Sequence, residues 1–269
     1  MISRRLVAKS SWLLPMILAS GNRVFAQSSS IEPPPVQFPA GLRVPTVEEY
    51  AEELDQVTGK ESPYRQEVER GKKLLEDIPK GATPYATADR FRQWREGKVG
   101  ETDEERRLYS YYAREWPVRG NPVIMGFFDA TGFRKPAGDT TYWCAAFVSW
   151  IIERSRIGKG DASRIWPYQT GAASSAYRSH FNKISDEGTV RRGDLAVFQN
   201  KAESWAGHVG FVHDVDLDQN GKARAIWVLG GNQGAQNDYN GGEVNISKFN
   251  RSSSRLEFNS FRTHEILHG

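Results

Sequence analysis

Cysteine is almost absent from this chain. Cys144 is the only one in 269 residues, which excludes an internal disulfide. In an oxidising compartment a lone thiol is a liability unless it is buried or used in chemistry. Cys144 is therefore either a buried spare residue or a nucleophile, and the residue alone does not distinguish the two.

Long apolar runs are also missing. The run closest to a membrane span, Trp12 to Ala19, is too short to cross a bilayer and contains Pro15. Basic residues precede it and a small-residue site follows it, with cleavage expected before Gln27, so we predict a signal peptide over residues 1–26. The expected location is periplasmic or extracellular. Arg4-Arg5 also resembles a twin-arginine signal, so both export routes stay open.

The chain has no strong excess of one charge once that segment is removed. Residues 1–26 hold four of the 36 basic residues and none of the 33 acidic ones, which leaves a formal charge near −1. The basic pI of the full chain is thus partly a property of the signal, and nucleic-acid binding loses its compositional support.

The region after the signal divides into a linker and a helical segment. Residues 27–45 are rich in Ser and Pro and are typical of an extended linker. Residues 46–116 carry two capping boxes, at Thr46–Glu49 and Thr102–Glu105. They are predicted to be a helical extension that serves as a packing or spacer element. Further helices are expected over about 64–78 and 88–95.

Residues 117–269 combine one apolar helix with several strands. Trp143–Ile152 is long and apolar enough for a buried helix. Alternating segments that follow it predict strands at 194–199, 207–214 and 222–229, with weaker ones at 244–246 and 256–258. Asn220-Gly221 predicts a hairpin turn between two of them. Helices first and a strand meander afterwards favour an α+β fold.

No cluster of metal ligands emerges, and neither a metal nor another cofactor is expected. The segment from Asp216 to Gly221 resembles the start of a calcium loop, but position 12 of that loop is Trp227 instead of Glu. An acidic hairpin turn explains these residues better.

Three polar residues form a candidate catalytic set with the thiol at its centre. Cys144 opens the apolar helix, where terminal amides and the helix dipole stabilise a thiolate. His208 lies beside small residues at the start of a predicted strand. Pairing about the Asn220-Gly221 turn brings His208 opposite Asn232 and Gln233, whose amide oxygens can fix the imidazole tautomer. Asn232 is favoured as the orienting residue, with Gln233 as the alternative.

Four motifs in this order resemble the NlpC/P60 and CHAP superfamily of papain-like cysteine hydrolases of bacterial peptidoglycan. They are residues 143–148 (WCAAFV), 193–198 (GDLAVF), 207–211 (GHVGF) and 228–233 (VLGGNQ). The resemblance covers roughly residues 115–250 and implies a nucleophile-bearing helix packed on an antiparallel sheet. It also implies that Cys144 is the nucleophile, His208 the base and Asn232 the orienter. Gly230 stands where CHAP relatives often carry Glu.

The expected function is cleavage of amide bonds in cell-wall peptide through an acyl-enzyme. Trp143, Trp205 and Gln233 are candidates for binding the peptidoglycan stem peptide, and Asp194 is expected to be structural. A non-catalytic binding module and an acyltransferase with the same triad remain alternatives. The sequence does not distinguish an amidase from an endopeptidase, and it leaves the oligomeric state open.

Overall fold

A computed structural model describes residues 62, 64–116, 120–133, 136, 138–139, 141–157, 172–234 and 242–269. The expected signal peptide, the linker and the helix expected from Thr46 lie outside the described residues. Within these ranges, no helix combines the length and the apolar character that a membrane span requires.

In the part of the chain that the structure describes, five α-helices precede the main strands. They are α1 (Arg65–Glu76), α2 (Pro84–Arg95), α3 (Asp103–Tyr112), α4 (Pro122–Phe127) and α5 (Cys144–Ile157). The capping box predicted at Thr102 is present: its hydroxyl accepts from the Glu105 amide, and the Glu105 side chain accepts from the Thr102 amide. Thr83 and Asn121 cap α2 and α4 by accepting from the backbone amides of Ala86 and Val123, and each is followed by a proline in the first turn.

Six strands form one sheet in the order β1-β6-β2-β3-β4-β5, with every neighbouring pair antiparallel. They are β1 (Asn182–Lys183), β2 (Leu195–Asn200), β3 (Gly207–Leu217), β4 (Ala223–Gln233), β5 (Glu243–Asn250) and β6 (Leu256–Thr263). Helices followed by an antiparallel meander make the described chain an α+β protein, as the order of sequence patterns predicted.

The hairpin between β3 and β4 turns where Asn220-Gly221 predicted it. The Asp218 amide donates to the Lys222 carbonyl at 2.8 Å, and Gly221 has a φ of 70°, which glycine adopts without strain. The Asp218 carboxylate accepts from the amides of Asn220 and Lys222. This acidic residue therefore closes a turn, as the sequence interpretation held.

The helix side of the sheet carries one continuous core, which we call the helix-side core. The helical extension contributes Phe91, Trp94 and Tyr112, and α5 contributes Phe147 and Ile151, all of them buried. The inner faces of β2, β3 and β4 complete it. Helices α2 and α3 are thus part of the hydrophobic core that supports α5.

The opposite face of the sheet carries a second core. Phe198, Val212, Val228 and Phe258 are its buried aromatic and branched members, and Phe249 packs against them. Alternation along β3 sends Val209 and Phe211 to the helix-side core and Val212 to the second core. The side chain of His208 therefore belongs to the second face.

Candidate active site

Cys144 is the first residue of α5. The helix begins there because the Trp143 carbonyl accepts the Phe147 amide at 2.8 Å, so Trp143 occupies the cap position. Only 5% of Cys144 is exposed. Burial raises the pKa of the Cys144 thiol to about 11 and outweighs the opposite effect of the nearby backbone amides of Val209, Ala145 and Cys144 itself. The resting thiol is therefore protonated at neutral pH.

The amide of Val209 reaches the sulfur because β3 and β4 are unpaired at that end. The recorded pairs between these strands begin at Phe211 and Leu229, and earlier residues of β3 have no partner on β4. The Val212 amide donates to the Asp194 carbonyl on the β2 side, so the two-residue period turns the Val209 amide towards β4. Cys144 thus contacts the sheet at the peptide group that follows His208.

Gly231 allows β4 to approach the cysteine-bearing end of α5. A methyl group added there would overlap the Trp143 ring and lie 3.0 Å from Cβ of Phe147. Any side chain at this position would push the strand away from the helix. The Gly-Gly pair in the fourth motif is therefore explained by close packing at Gly231.

The imidazole of His208 lies on the second face of the sheet and is 6% exposed. It stacks on Phe249 with ring centroids 5.1 Å apart and planes inclined by 17°. Burial lowers the pKa of His208 to about 4, and the contact with the Gln233 side chain raises it by a smaller amount. His208 is therefore neutral at pH 7, like the thiol, and the two side chains are not joined by a hydrogen bond in this resting state.

Gln233 provides the amide that lies beside His208. Its Nε2 donates to the carbonyls of Val228 at 3.2 Å and Asn245 at 2.9 Å. A methyl group added at Gly230 would be 2.8 Å from that nitrogen and 3.3 Å from Nε2 of His208, so both groups lie over Gly230. Oε1 of Gln233 and Nε2 of His208 are fully buried, and neither atom has a hydrogen-bond partner among the described residues. Each is therefore the partner available to the other.

A bulge in β4 explains why Gln233 takes this position. Regular pairing from Phe211–Leu229 would place Asn232 on the His208 face. However, Asn232 has a φ of 57°, and the register between β4 and β5 shifts between Gly230 and Gln233. The shift turns the next side chain, Gln233, onto the His208 face.

The side chain of Asn232 is directed elsewhere. A methyl group added at Gly242 would lie 2.6 Å from Oδ1 of Asn232 and 2.8 Å from Cδ of Glu115. Asn232 thus lies towards the Glu115 side, and the structure brings His208 together with Gln233 instead. The sequence signal that could have predicted this is the Gly-Gly-Asn run, since Asn is among the few residues that tolerate the left-handed region.

Glu115 is a site residue that the sequence reasoning missed. It is 8% exposed, and its Oε1 accepts from the Trp143 indole at 2.9 Å while its Oε2 accepts from the Gly242 amide at 3.1 Å. The backbone of Glu115 also pairs with Gly242, its amide donating to that carbonyl at 2.9 Å. A carboxylate at the end of the helical segment therefore fixes the residue that precedes Cys144.

Trp143 and Gln233 do not offer a surface to a substrate. Trp143 is completely buried and Gln233 is 3% exposed. Their expected role in substrate binding needs correction, because a side chain packed behind the site contacts its neighbours and not a ligand. Trp143 supports the start of α5, and Gln233 supports His208.

Trp205 and Tyr142 are the exposed aromatic residues near the motifs. Trp205 is 56% exposed and lies just before β3, while Tyr142 is 64% exposed and lies two residues before Cys144. Arg178 holds the turn around Trp205 by donating to the carbonyls of Ser204 at 2.5 Å and Ala206 at 2.8 Å. Both rings are available to a ligand.

Asp194 has the structural position that the sequence predicted. It is fully buried, and its carboxylate accepts from the Arg191 amide at 2.7 Å and contacts Nε2 of His268 at 2.8 Å. These contacts close the turn into β2. Among the described residues, no group of three or more His, Cys, Asp or Glu side chains is arranged to hold a metal ion.

Comparison with known proteins gives one finding. Residues 136–232 match the family model of the CHAP domain, which confirms the resemblance carried by the four motifs. The match includes Cys144 and His208 and ends one residue before Gln233. No curated protein and no solved structure matches the chain.

Proposed function

From the CHAP-domain match over residues 136–232, we propose that this protein is an exported, papain-like cysteine hydrolase that cleaves amide bonds of peptidoglycan. One observation carries the proposal most directly. The thiol of Cys144 lies at the start of a helix, beside the backbone amide of Val209, the residue that follows His208. A thiol, an imidazole and an amide are the groups that nucleophilic acyl transfer requires.

Gln233 acts as the residue that orients His208. Its NH2 group is occupied by two backbone carbonyls, which fixes the amide so that Oε1 is the atom left to accept. An acceptor at this position selects the imidazole tautomer protonated on Nε2. The lone pair of Nδ1 is then available to take the proton of the thiol.

The reaction begins when the sulfur of Cys144 attacks the carbonyl carbon and its proton passes to Nδ1 of His208, which requires the two side chains to come closer than in the resting state, where no hydrogen bond joins them. Backbone amides at the start of α5 stabilise the oxyanion, and the imidazolium returns the proton to the nitrogen of the departing amine. Water, deprotonated by the same imidazole, then hydrolyses the thioester and releases the acid. Gln233 keeps the ring oriented through both half-reactions.

The resting pair is neutral, because the pKa of Cys144 is about 11 and that of His208 is about 4. The base, His208, therefore deprotonates the thiol during the attack. The resting enzyme does not contain a thiolate paired with an imidazolium. Entry of a polar substrate or water into the gap between β3 and β4 moves both pKa values back towards their ordinary range, because desolvation causes both shifts.

A non-catalytic binding module on the same fold is the second candidate. The observation that favours it is the absence of a hydrogen bond between Cys144 and His208, together with the burial of both. In that case the exposed rings of Trp205 and Tyr142 would hold the polymer without cleavage.

The decisive experiment is incubation of the full-length protein with purified peptidoglycan, alongside Cys144→Ala, followed by mass analysis of the released fragments. We expect fragments from the wild type alone, and their new ends identify an amidase or an endopeptidase. Equal products from the two proteins would overturn the hydrolase. Sedimentation of both proteins with the polymer, without any fragment, would establish the binding module.

A further inference from the structure

Three residues in register, Gln233, Glu243 and Arg114, connect the His208 site to the edge of the sheet. Gln233 on β4 is the register partner of Glu243 on β5, and Glu243 forms an isolated antiparallel bridge with Arg114. Neighbouring strands are about 4.8 Å apart, so the backbone of Arg114 lies about 10 Å from that of Gln233. An extended peptide covers this distance in about three residues.

Arg114 points to the face that carries His208. The segment around it is extended, since the Val244 amide donates to the Ala113 carbonyl and the Glu115 amide to the Gly242 carbonyl. Consecutive side chains of an extended segment point to opposite faces. Glu115 turns towards Trp143 on the helix side, so Arg114 turns to the other face.

Among the described residues, the positive charge at this edge exceeds the negative charge. Oε2 of Glu243 accepts from Nε of Arg95 at 2.5 Å, and Oε1 accepts from Asn245 at 3.0 Å. No side chain among the described residues forms a hydrogen bond or salt bridge with the half-buried guanidinium of Arg114. Burial lowers the pKa of Arg114, and the like charge of Arg95 lowers it further, against the attraction of Glu243. Two arginines thus share one carboxylate whose oxygens are already in use.

We propose that Arg114 is a subsite for a carboxylate of the substrate peptide, with its backbone about 10 Å from that of Gln233. A guanidinium binds a carboxylate through two parallel hydrogen bonds, and partial burial strengthens them. A bound anion balances the second arginine, which Glu243 alone does not do. The inference rests on the proposed function for the identity of the substrate, and it defines that substrate as a peptide with a free acidic group.

The test measures binding by calorimetry in the full-length Cys144→Ala protein, which does not cleave. The probes are a peptidoglycan stem peptide with free carboxylates and the same peptide with those groups converted to amides. Arg114→Gln removes the charge and keeps hydrogen-bonding ability. Arg255→Gln removes an exposed arginine on the β5–β6 turn and is the matched control.

We expect Arg114→Gln to weaken binding of the carboxylate peptide about tenfold or more and to leave binding of the amide peptide unchanged. Arg255→Gln leaves both affinities unchanged. The urea midpoint of Arg114→Gln stays the same or rises, because the substitution removes a charge repelled by Arg95, whereas a structural arginine would lower it.

The subsite would be overturned if Arg114→Gln weakened the binding of both peptides equally or of neither. It would also be overturned if neither peptide bound the parent protein. This result is separable from the fate of the proposed function. If the wild type cleaves peptidoglycan but Arg114→Gln binds and cleaves the carboxylate peptide as well as the wild type does, only the subsite fails. If Arg114 discriminates between the peptides but no Cys144-dependent fragments form, only the hydrolase fails.

Discussion

Buried His208 makes the stability of the fold depend on pH in a defined direction. Its pKa is about 4 in the folded protein and 6.5 in an unfolded chain, so the unfolded state takes up the proton first as the pH falls. The stabilising contribution of the neutral ring is complete above pH 6.5 and is lost between pH 6.5 and 4. With these two pKa values the free energy of unfolding falls by about 2 kcal/mol at pH 5 and about 3 kcal/mol at pH 4.

The perturbation that isolates this effect is His208→Phe, which keeps a flat ring beside Phe249 and cannot be protonated. The free energy of unfolding is measured by urea titration with tryptophan fluorescence at pH 7.5, 5 and 4. The variant loses stability at every pH, because the phenyl ring offers no donor to the buried Oε1 of Gln233. The relevant quantity is therefore the slope with pH, which we expect to be smaller in the variant by about 2 kcal/mol between pH 7.5 and 5.

Cys144→Ala is the control, because the thiol titrates only on the alkaline side and its removal leaves the acid slope unchanged. Other histidines contribute equally to both proteins, including His213, whose pKa is also lowered by burial. Identical acid slopes for the wild type and His208→Phe would refute the burial of a neutral imidazole at this site.

Three further predictions concern the thiol and its supports. The rate at which iodoacetamide alkylates Cys144, followed by mass spectrometry, is low at pH 7 and increases about tenfold per pH unit up to about pH 11. A rate that is already constant below pH 8 would show that a thiolate is preformed. Gln233→Ala lowers kcat at least about tenfold because the imidazole loses its orientation. Asn232→Gly keeps activity within about fivefold, since glycine accepts the positive φ. Peptidoglycan turnover measures both, and a larger loss in Asn232→Gly than in Gln233→Ala would restore Asn232 as the orienting residue. Glu115→Gln leaves one oxygen for two donors, so the Trp143 indole or the Gly242 amide loses its acceptor and the free energy of unfolding in urea titrations falls by about 1–3 kcal/mol; an unchanged midpoint would mean that this carboxylate does not fix Trp143 and Gly242.

Much of the fold follows from local patterns in the sequence. The capping box at Thr102, the Asn220-Gly221 turn and the apolar run after Cys144 each determine a boundary by short-range physics, and each boundary lies where these patterns predict it. The helix α4 and the short strand β1 are less marked in the sequence, because six or two residues are too few to show a period.

The shared core of the helical segment was harder to predict from sequence. Phe91 and Trp94 show a helical spacing, but nothing local indicates that they pack against Phe147 of α5. Long-range contacts of this kind depend on the whole set of elements. For the same reason the buried pairing of Glu115 with Trp143, 28 residues apart, had no signature in either segment.

Sequence reasoning named both adjacent amides of the fourth motif and favoured Asn232, whereas the structure brings Gln233 beside His208. Alternation along a regular strand correctly turns the fourth motif towards His208. It does not report a bulge, because a bulge depends on the backbone of one residue and on the strand beyond it. The choice between two adjacent amides therefore required the three-dimensional structure.

The bulge at Asn232 has a consequence for how such sites diverge. A single left-handed residue shifts the phase of the strand by one, so the chain position that faces the histidine depends on whether the bulge exists and not only on which amide is encoded. Gain or loss of that one backbone conformation would exchange the partner of the base while both amides stay in place. Two homologous proteins can therefore orient the same histidine with amides from different alignment columns. Conservation at position 232 would then report a requirement of the backbone and not of the side chain.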